Sequence, residues 1–567
     1  MCGIWAVFGS AVDVSLQCKV FHKVVHRGPD AFRFEKINHF QNCCLGFHRL
    51  AIVDGVRGMQ PMRLYTHPHI WLINNGEIYN YKMVSEEHGF HLSTNCDTEP
   101  VIHLYAKYGI DFPAFLDGVF AFCLLDTTNR KVFIGRDTFG VRPCFKLVTD
   151  SGFLAVCSEA KGLFGLWHNL TDEAADIVPV APGTVEQYDL DNNGRATLRE
   201  VKQFHAIGDL PLYKTPVPPD SLGSDVAENI RLLLETAVRK RVMGDRRLGC
   251  LLSGGFDSSL VATFLVKTAK ELRLPYTIET FSIGMQGSTD IMAARKVAQF
   301  LGTEHHEVIF TVEDVLGVLE DIIRHLESYD IMNIRSAVGL FLVSKYIKAH
   351  TDTVVILSGE GSDELAQGYI YFHKAPSPEA ADEESRRLLD NISIYDILRA
   401  DRATAAWGLE LRTPFLDHQF TSYYLSLPAE DRVPRKGVEK YLLRSAFDGM
   451  NLLPNDILWR PKEGFSDGVS PIKRSLFVIL TDFCENQISD EQMKQAASLF
   501  PFNTPKTKEA FYYRQVFEKY YPSKSDWVPC MWMPRWTDAT DPSARTLNHY
   551  KGSCLDSPEE PTIYNSV

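Results

Sequence analysis

Between residues 206 and 224 the chain reads AIGDLPLYKTPVPPDSLGS, and the sequence on its two sides follows different patterns. Its four prolines fix φ and remove backbone donors, so neither a helix nor an interior strand can run through it. Before it lie short apolar or alternating runs bounded by turn residues: WAVFG, LGFHRLAIVD and IWLIN. GVFAFCLLD and KVFIGRD, joined by TTNR, predict a hairpin, and TEPVIHLYAKYG at 98–109 predicts a helix. After it, apolar strands alternate with amphipathic helices. RLGCLL precedes DSSLVATFLVKTAKEL, TFSIGM precedes AARKVAQFLG, and HHEVIF and TVVIL (353–357) follow. The first pattern predicts an α+β unit of packed sheets, the second an α/β unit with a parallel sheet. The expected limits are 2–205, a stiff linker at 206–224, 225–540, and a polar, flexible tail at 541–567.

With 45% hydrophobic and 23% charged residues, both units can build ordinary cores. A net charge of −13 and the absence of long basic runs argue against nucleic-acid and membrane-surface partners. No apolar run is long enough to span a bilayer, and the start lacks a secretory pattern. Twelve cysteines without a CxxC pair predict reduced thiols in the cytosol rather than zinc or redox pairs.

The first residues are MCGI. Once methionine is removed, Cys2 carries a thiol and a free α-amine on one residue. With a pKa of about 7.7–8.0, that amine can serve as the base for the nucleophile. NNGE at 74–77 supplies a side-chain amide at Asn75 and an unshielded backbone N–H at Gly76, a donor pair suited to an oxyanion. Arg49 can fork onto a carboxylate, and Glu77 and Asp97 can face an ammonium. An α-carboxylate, an α-ammonium and a side-chain amide together describe glutamine. Singly, each feature has an ordinary explanation: a turn, a surface ion pair, a helix cap.

Two strand-to-helix turns mark the second half. LLSGGFDSS (251–259) can nest phosphate on backbone N–H groups, and it lacks the GK[ST] ending of a Walker loop. LSGEGSDE (357–364) repeats that design and adds carboxylates at Glu360, Asp363 and Glu364, as a magnesium–pyrophosphate site would want.

MCGIWAVFG, HRGPD (26–30), HRLAIVD (48–54), NNGEIYN (74–80) and GRDTFGVRP (135–143) together resemble the class II glutamine amidotransferases. That resemblance implies an Ntn-hydrolase four-layer αββα sandwich. It makes Cys2 the nucleophile and Asn75 and Gly76 the oxyanion hole. Arg49, Leu50, Ala51, Ile52, Val53, Glu77 and Asp97 would join them in holding glutamine. The SGGxDS turn resembles the ATP pyrophosphatases. It implies an ATP site of Leu251, Ser253, Gly254, Gly255, Asp257, Ser258, Ile283, Ser358 and Gly359, with Mg2+ on Asp257 and Asp363.

Adding SYDIMNIR (328–335), GYIYFHKAPSPE (368–379), DRATAAWGLELRTPFLDH (401–418) and WRPKEGFSDG (459–468), the chain resembles the glutamine-hydrolysing asparagine synthetases to about residue 550. The resemblance implies ammonia release from glutamine, adenylation of aspartate by ATP, and displacement of AMP by ammonia; a homodimer is one assembly it allows. Lys462 would neutralise the α-phosphate, Arg335 would hold pyrophosphate or a substrate carboxylate, and Glu360 would orient the intermediate or take a proton. The family usually has threonines where this chain has Met332 and Asn333, which predicts slower synthesis unless Asn333 compensates. The alternatives are a glutaminase with an impaired synthetase half, a scaffold relative, and a β-lactam-forming synthetase.

Overall fold

The computed structural model describes residues 1–10, 12–170, 175–471 and 475–543. The expected tail lies outside the described residues from 544 onward; Asp541 and Ser543 contact Arg335 and Asp467.

The N-terminal half holds two six-stranded sheets with antiparallel pairing throughout. One is centred on Gly3–Phe8 and Cys44–Arg49, the other on His67–Ile78, Gly118–Asp126 and Lys131–Arg136. Side chains alternate across a strand, and both faces here are covered, which is why GIWAVF is apolar throughout. Ile4, Ala6 and Phe8 point between the sheets to meet Ile73, Cys123 and Ile134. Trp5 and Val7 point outward under the helices Val14–Phe21 and Lys161–Trp167. On the far side Leu72, Phe122 and Leu124 pack beneath Tyr81–His88 and Glu99–Tyr108. The result is helix, sheet, sheet, helix, the expected four layers.

The structure also removes the ordinary explanation of NNGE. NNGE is no turn after a strand: His67–Ile78 runs through it, pairing Asn75 with Ala121 and Gly76 with Phe120. Gly76 has φ +145°, and a Cβ there would run into the Val119 carbonyl. The glycine is required by this close approach of two backbones.

The C-terminal half is built on a five-stranded parallel sheet, in the order Glu304–Ile309, Glu279–Gly284, Arg247–Leu251, Thr353–Leu357, Glu410–Arg412. From Arg247–Leu251 the chain first builds outward on one side, then resumes on the other with Thr353–Leu357. That reversal opens a crevice at the carboxyl ends of the two strands, where both glycine turns lie. Only the first turn leads into a long helix, Phe256–Glu271; the second leads into the single turn Ser362–Leu365.

The edge strand Glu410–Arg412 reaches the N-terminal half. Arg142 Nη2 donates to the Leu411 carbonyl (3.0 Å), and Arg27 Nη1 donates to Asp401 (2.8 Å) and Glu159 (2.7 Å). Proline-rich 206–224 is tied down as well, with Tyr213 Oη 2.9 Å from His418 Nδ1.

Candidate active sites

Cys2 directly precedes Gly3–Phe8, and the antiparallel register Gly3↔His48 sets it opposite Arg49 and next to Leu50. The Leu50 N–H donates to Cys2 Sγ (3.4 Å), and Arg27 Nε donates to the Cys2 carbonyl (3.0 Å). Burial pushes the thiol up to about 11, an effect the adjacent N-terminal ammonium opposes. Such a thiol needs a base, because only a thiolate attacks.

Asn75 is fully buried, and neither its Oδ1 nor its Nδ2 has a hydrogen-bond partner among the described residues. Buried amides are normally satisfied, so an open one in a strand beside Gly76 suits an oxyanion that forms only during reaction. Arg49 does not arrive as a free fork. It gives Nη1 to the Gly55 carbonyl (2.8 Å) and Nη2 to those of Asp54 (2.6 Å) and Val53 (3.5 Å), bracing the loop beyond it. Ala51 N–H donates to Asp30 (2.8 Å), and the Ile52 carbonyl accepts from Asp245 N–H (2.8 Å), so the 50–53 backbone is held from both halves.

Asp97 accepts from Ile78 N–H (2.8 Å), while Glu77 lies 3.8 Å from Arg412 of the other half. Arg412 Nε in turn donates to Glu410 (2.9 Å), and Glu410 faces the Met1 ammonium at 3.4 Å. Against the upward push of burial, Arg412, the N-terminus and Arg142 pull Glu410 down to about 2. Met1 is 1% exposed beneath this strand. Glu410 and Arg412 lie in the 401–418 stretch, and their remote partners Met1 and Glu77 are 409 and 335 residues away, so no local signal marks these contacts.

The second site is the crevice. Leu251, Ser253, Gly255, Asp257, Ser258, Ile283, Ser358, Gly359, Glu360, Asp363 and Lys462 all line one cavity. Ser253 Oγ and Ser258 Oγ lie 3.0 Å apart and close the first turn, whose Gly255 leaves N–H groups bare at the helix start. Gly254 does not line the cavity. Its φ of +71° and its contact with Ala293 and Ala294 make it the packing glycine of the turn. The two turns touch where a Gly359 Cβ would meet Asp257, and Ser362 Oγ donates to Asp257 (2.8 Å).

Asp257 and Asp363 converge on one cation, Lys440, whose Nζ is 2.6 Å from Asp363; Lys462 Nζ is also 2.6 Å from Asp363. Burial raises the Asp363 carboxyl, but the two lysines outweigh it and hold it well below the usual range. Lys440 went unnoticed in the sequence, where a lysine in a polar loop reads as a solvated charge. Glu360 is raised by burial, with Arg399 as its opposing partner.

Arg335 must be corrected. It is not brought to the cavity: it is clamped by Glu509 (2.9 and 2.7 Å) and Asp541 (2.8 Å) and lies over Phe477. The helix Ile331–His350 turns Met332, Ser336, Leu340 and Val343 to the cavity, and Arg335 falls off that face. Asn333 does not line the cavity as Met332 does; its Nδ2 donates to the Ile394 carbonyl (3.0 Å). Ser336, one turn on, is the hydroxyl on the cavity face.

A glutamine amidotransferase domain model matches residues 1–206, and an asparagine synthase model matches 229–389 and 376–540. The glutamine-hydrolysing asparagine synthetase of Gallus gallus is 58% identical over 98% of this chain and 100% of its own. This chain belongs to that family. The asparagine synthetases of Cricetulus griseus and Homo sapiens, with the same coverage, are 57% and 56% identical.

Where a carboxylate faces a substrate ammonium, its ionisation state matters. Burial lifts Asp97 to about 6, with Ile78 N–H pulling the other way. A carboxyl raised in this way is favoured protonated, so its charge appears only as pH rises through 6. If ionised Asp97 holds the substrate ammonium, log kcat/KM for glutamate release should rise with a slope near 2 below pH 6, and with a slope near 1 from there to the α-amine pKa of about 7.7–8.0. A slope that stays near 1 from pH 5 to 7 would remove Asp97 from glutamine binding.

Proposed function

We propose that this chain makes asparagine from aspartate, ATP and glutamine. In the first site Cys2, freed of Met1, attacks the side-chain amide carbon of glutamine. Its α-amine accepts the thiol proton and delivers it to the departing ammonia. Asn75 Nδ2 and the Gly76 N–H take the oxyanion, and water then releases glutamate from the thioester. The 50–53 backbone, in the loop that Arg49 braces, orients the amino-acid end together with Glu77 and Asp97.

In the second site the β-carboxylate of aspartate attacks the α-phosphorus of ATP, expelling pyrophosphate and leaving β-aspartyl-AMP. Ammonia adds to its carbonyl carbon, AMP leaves, and Glu360 takes the surplus proton. Lys462 offsets charge building on the α-phosphate. Leu251 and Ile283 give the base an apolar wall, while the turns at 253–258 and 358–359 cradle phosphates. A divalent cation fits Asp257 and Asp363, two hard oxygen donors aimed at one point that a cation already occupies; magnesium there would neutralise pyrophosphate. The free cysteines among the described residues support a reducing compartment such as the cytosol.

The observation that carries this reading is the meeting of two distant strand-to-helix turns around the lysine-bound pair Asp257 and Asp363. The test is AMP and asparagine formation from aspartate and Mg-ATP with glutamine or an ammonium salt. Equal yields of AMP and asparagine with both donors are expected. Glutamate without AMP would favour the second reading, a glutaminase with a silenced synthetase half. Met332 is the observation behind that reading: a lost hydrogen bond to a charged group costs about 1.5–3 kcal/mol, or roughly 10- to 150-fold.

A further inference from the structure

An acceptor such as aspartate brings two carboxylates to an adenylating site, and only one reacts. The other must be fixed by a cation, or either end could attack. Arg335, the expected candidate, is occupied elsewhere. Of the other cations on the cavity wall, Arg460 is spent on Asp290 (2.9 Å) and Glu463 (3.0 Å). Arg444 gives Nε to the Glu439 carbonyl (2.9 Å) and Nη1 to that of Leu458, and Lys462 is held by Asp363.

Arg399 differs. It lines the cavity, is 6% exposed, and its Nε has no hydrogen-bond partner among the described residues. Nη1 is paired with Asp396, and Nη2 reaches Glu360 only at 3.4 Å. Asp396 also accepts from Tyr369 Oη (2.7 Å), which draws part of its charge away from the guanidinium. A buried donor left open is costly unless a ligand completes it.

The platform beneath Arg399 is rigid. The helix Asp396–Ala405 is pinned one turn further on, where Asp401 receives Arg27 (2.8 Å) and Arg402 donates to Glu327 (2.9 Å). A donor on such a platform can select a substrate by position as well as by charge.

We propose that Arg399 receives the α-carboxylate of the acceptor amino acid and so leaves the β-carboxylate facing the α-phosphorus. A guanidinium suits this role better than an ammonium, because its fork fixes the plane of the carboxylate. The assignment rests on the function proposed above for this cavity, and it makes Arg399 a specificity determinant among acids.

Aspartate-dependent exchange of labelled pyrophosphate into ATP, run on the full chain, tests it without glutamine or ammonia. In Arg399→Gln the KM for aspartate should rise roughly 10- to 150-fold, the range for a lost hydrogen bond to a charged group. The KM for ATP should stay within about twofold. Arg399→Lys keeps the charge, loses the fork, and should fall between wild type and the glutamine variant. Should the glutamine variant not fold, the lysine variant decides, with a rise confined to the KM for aspartate. An unchanged KM for aspartate, or equal rises for aspartate and ATP, would overturn the assignment. Wild-type protein without aspartate-dependent exchange would overturn the function itself, and Arg399's role with it.

Discussion

Cys2→Ala should lower glutamine hydrolysis by at least about 10⁴-fold, the scale seen when a catalytic nucleophile is deleted. Synthesis from ammonium salt should survive. The physical reason is spatial: Cys2 sits against Leu50, while the adenylating cavity lies at the carboxyl ends of another sheet. The thiol is small and only partly exposed, so its removal leaves the packing of the first strand intact. Glutamate release and ammonium-dependent AMP formation, measured on one preparation, check the prediction together. Loss of both activities would mean that Cys2 holds the halves together rather than attacking glutamine.

Lys462→Met should do the opposite, cutting aspartate-dependent AMP formation by roughly 10²–10³-fold, as loss of one preorganised transition-state donor does. Glutamine hydrolysis should remain. Burial would lower the Lys462 ammonium, but Asp363 and Asp257 more than offset it, so it stays charged. Methionine keeps the length and apolar stem of lysine, so the lost charge is the main change. Lys440 would still hold Asp363, which protects the fold of the second turn. Normal AMP formation in this variant would reduce Lys462 to a structural partner of Asp363.

The fold was legible where patterns are local. GIWAVF, the 118–136 hairpin and the helix at 98–109 carry their periodicity in a few residues each, and the strand–helix alternation after residue 225 is equally local. The two glycine turns were visible for the same reason. The backbone needs glycine where Gly254 meets Ala293 and where Gly359 meets Asp257. In NNGE the donor pair was legible but not the strand that runs through it, because a glycine that permits two strands to touch looks the same in sequence as one that permits a turn.

What sequence hid is ionic and remote. Arg335 was placed by its sign, but Glu509 and Asp541, about 170 and 200 residues later, decide where it points. Lys440, Glu410 and Arg412 are charged residues with deciding partners far along the chain: Asp257 and Asp363, Met1, and Glu77. Without those partners, a buried ion pair and a solvated side chain are the same letters. Asn333 shows the reverse: a polar residue next to Met332 that does not line the cavity and whose Nδ2 donates to the Ile394 carbonyl.

The central claim is that one chain makes ammonia in the first site and consumes it in the second. Glutamine labelled with ¹⁵N at its amide, offered with aspartate, Mg-ATP and an excess of unlabelled ammonium, tests this most directly. Mass analysis of the product should find asparagine carrying the label well above its dilution into the ammonium pool, with AMP formed in equal amount. Glutamate released without labelled asparagine would contradict the claim.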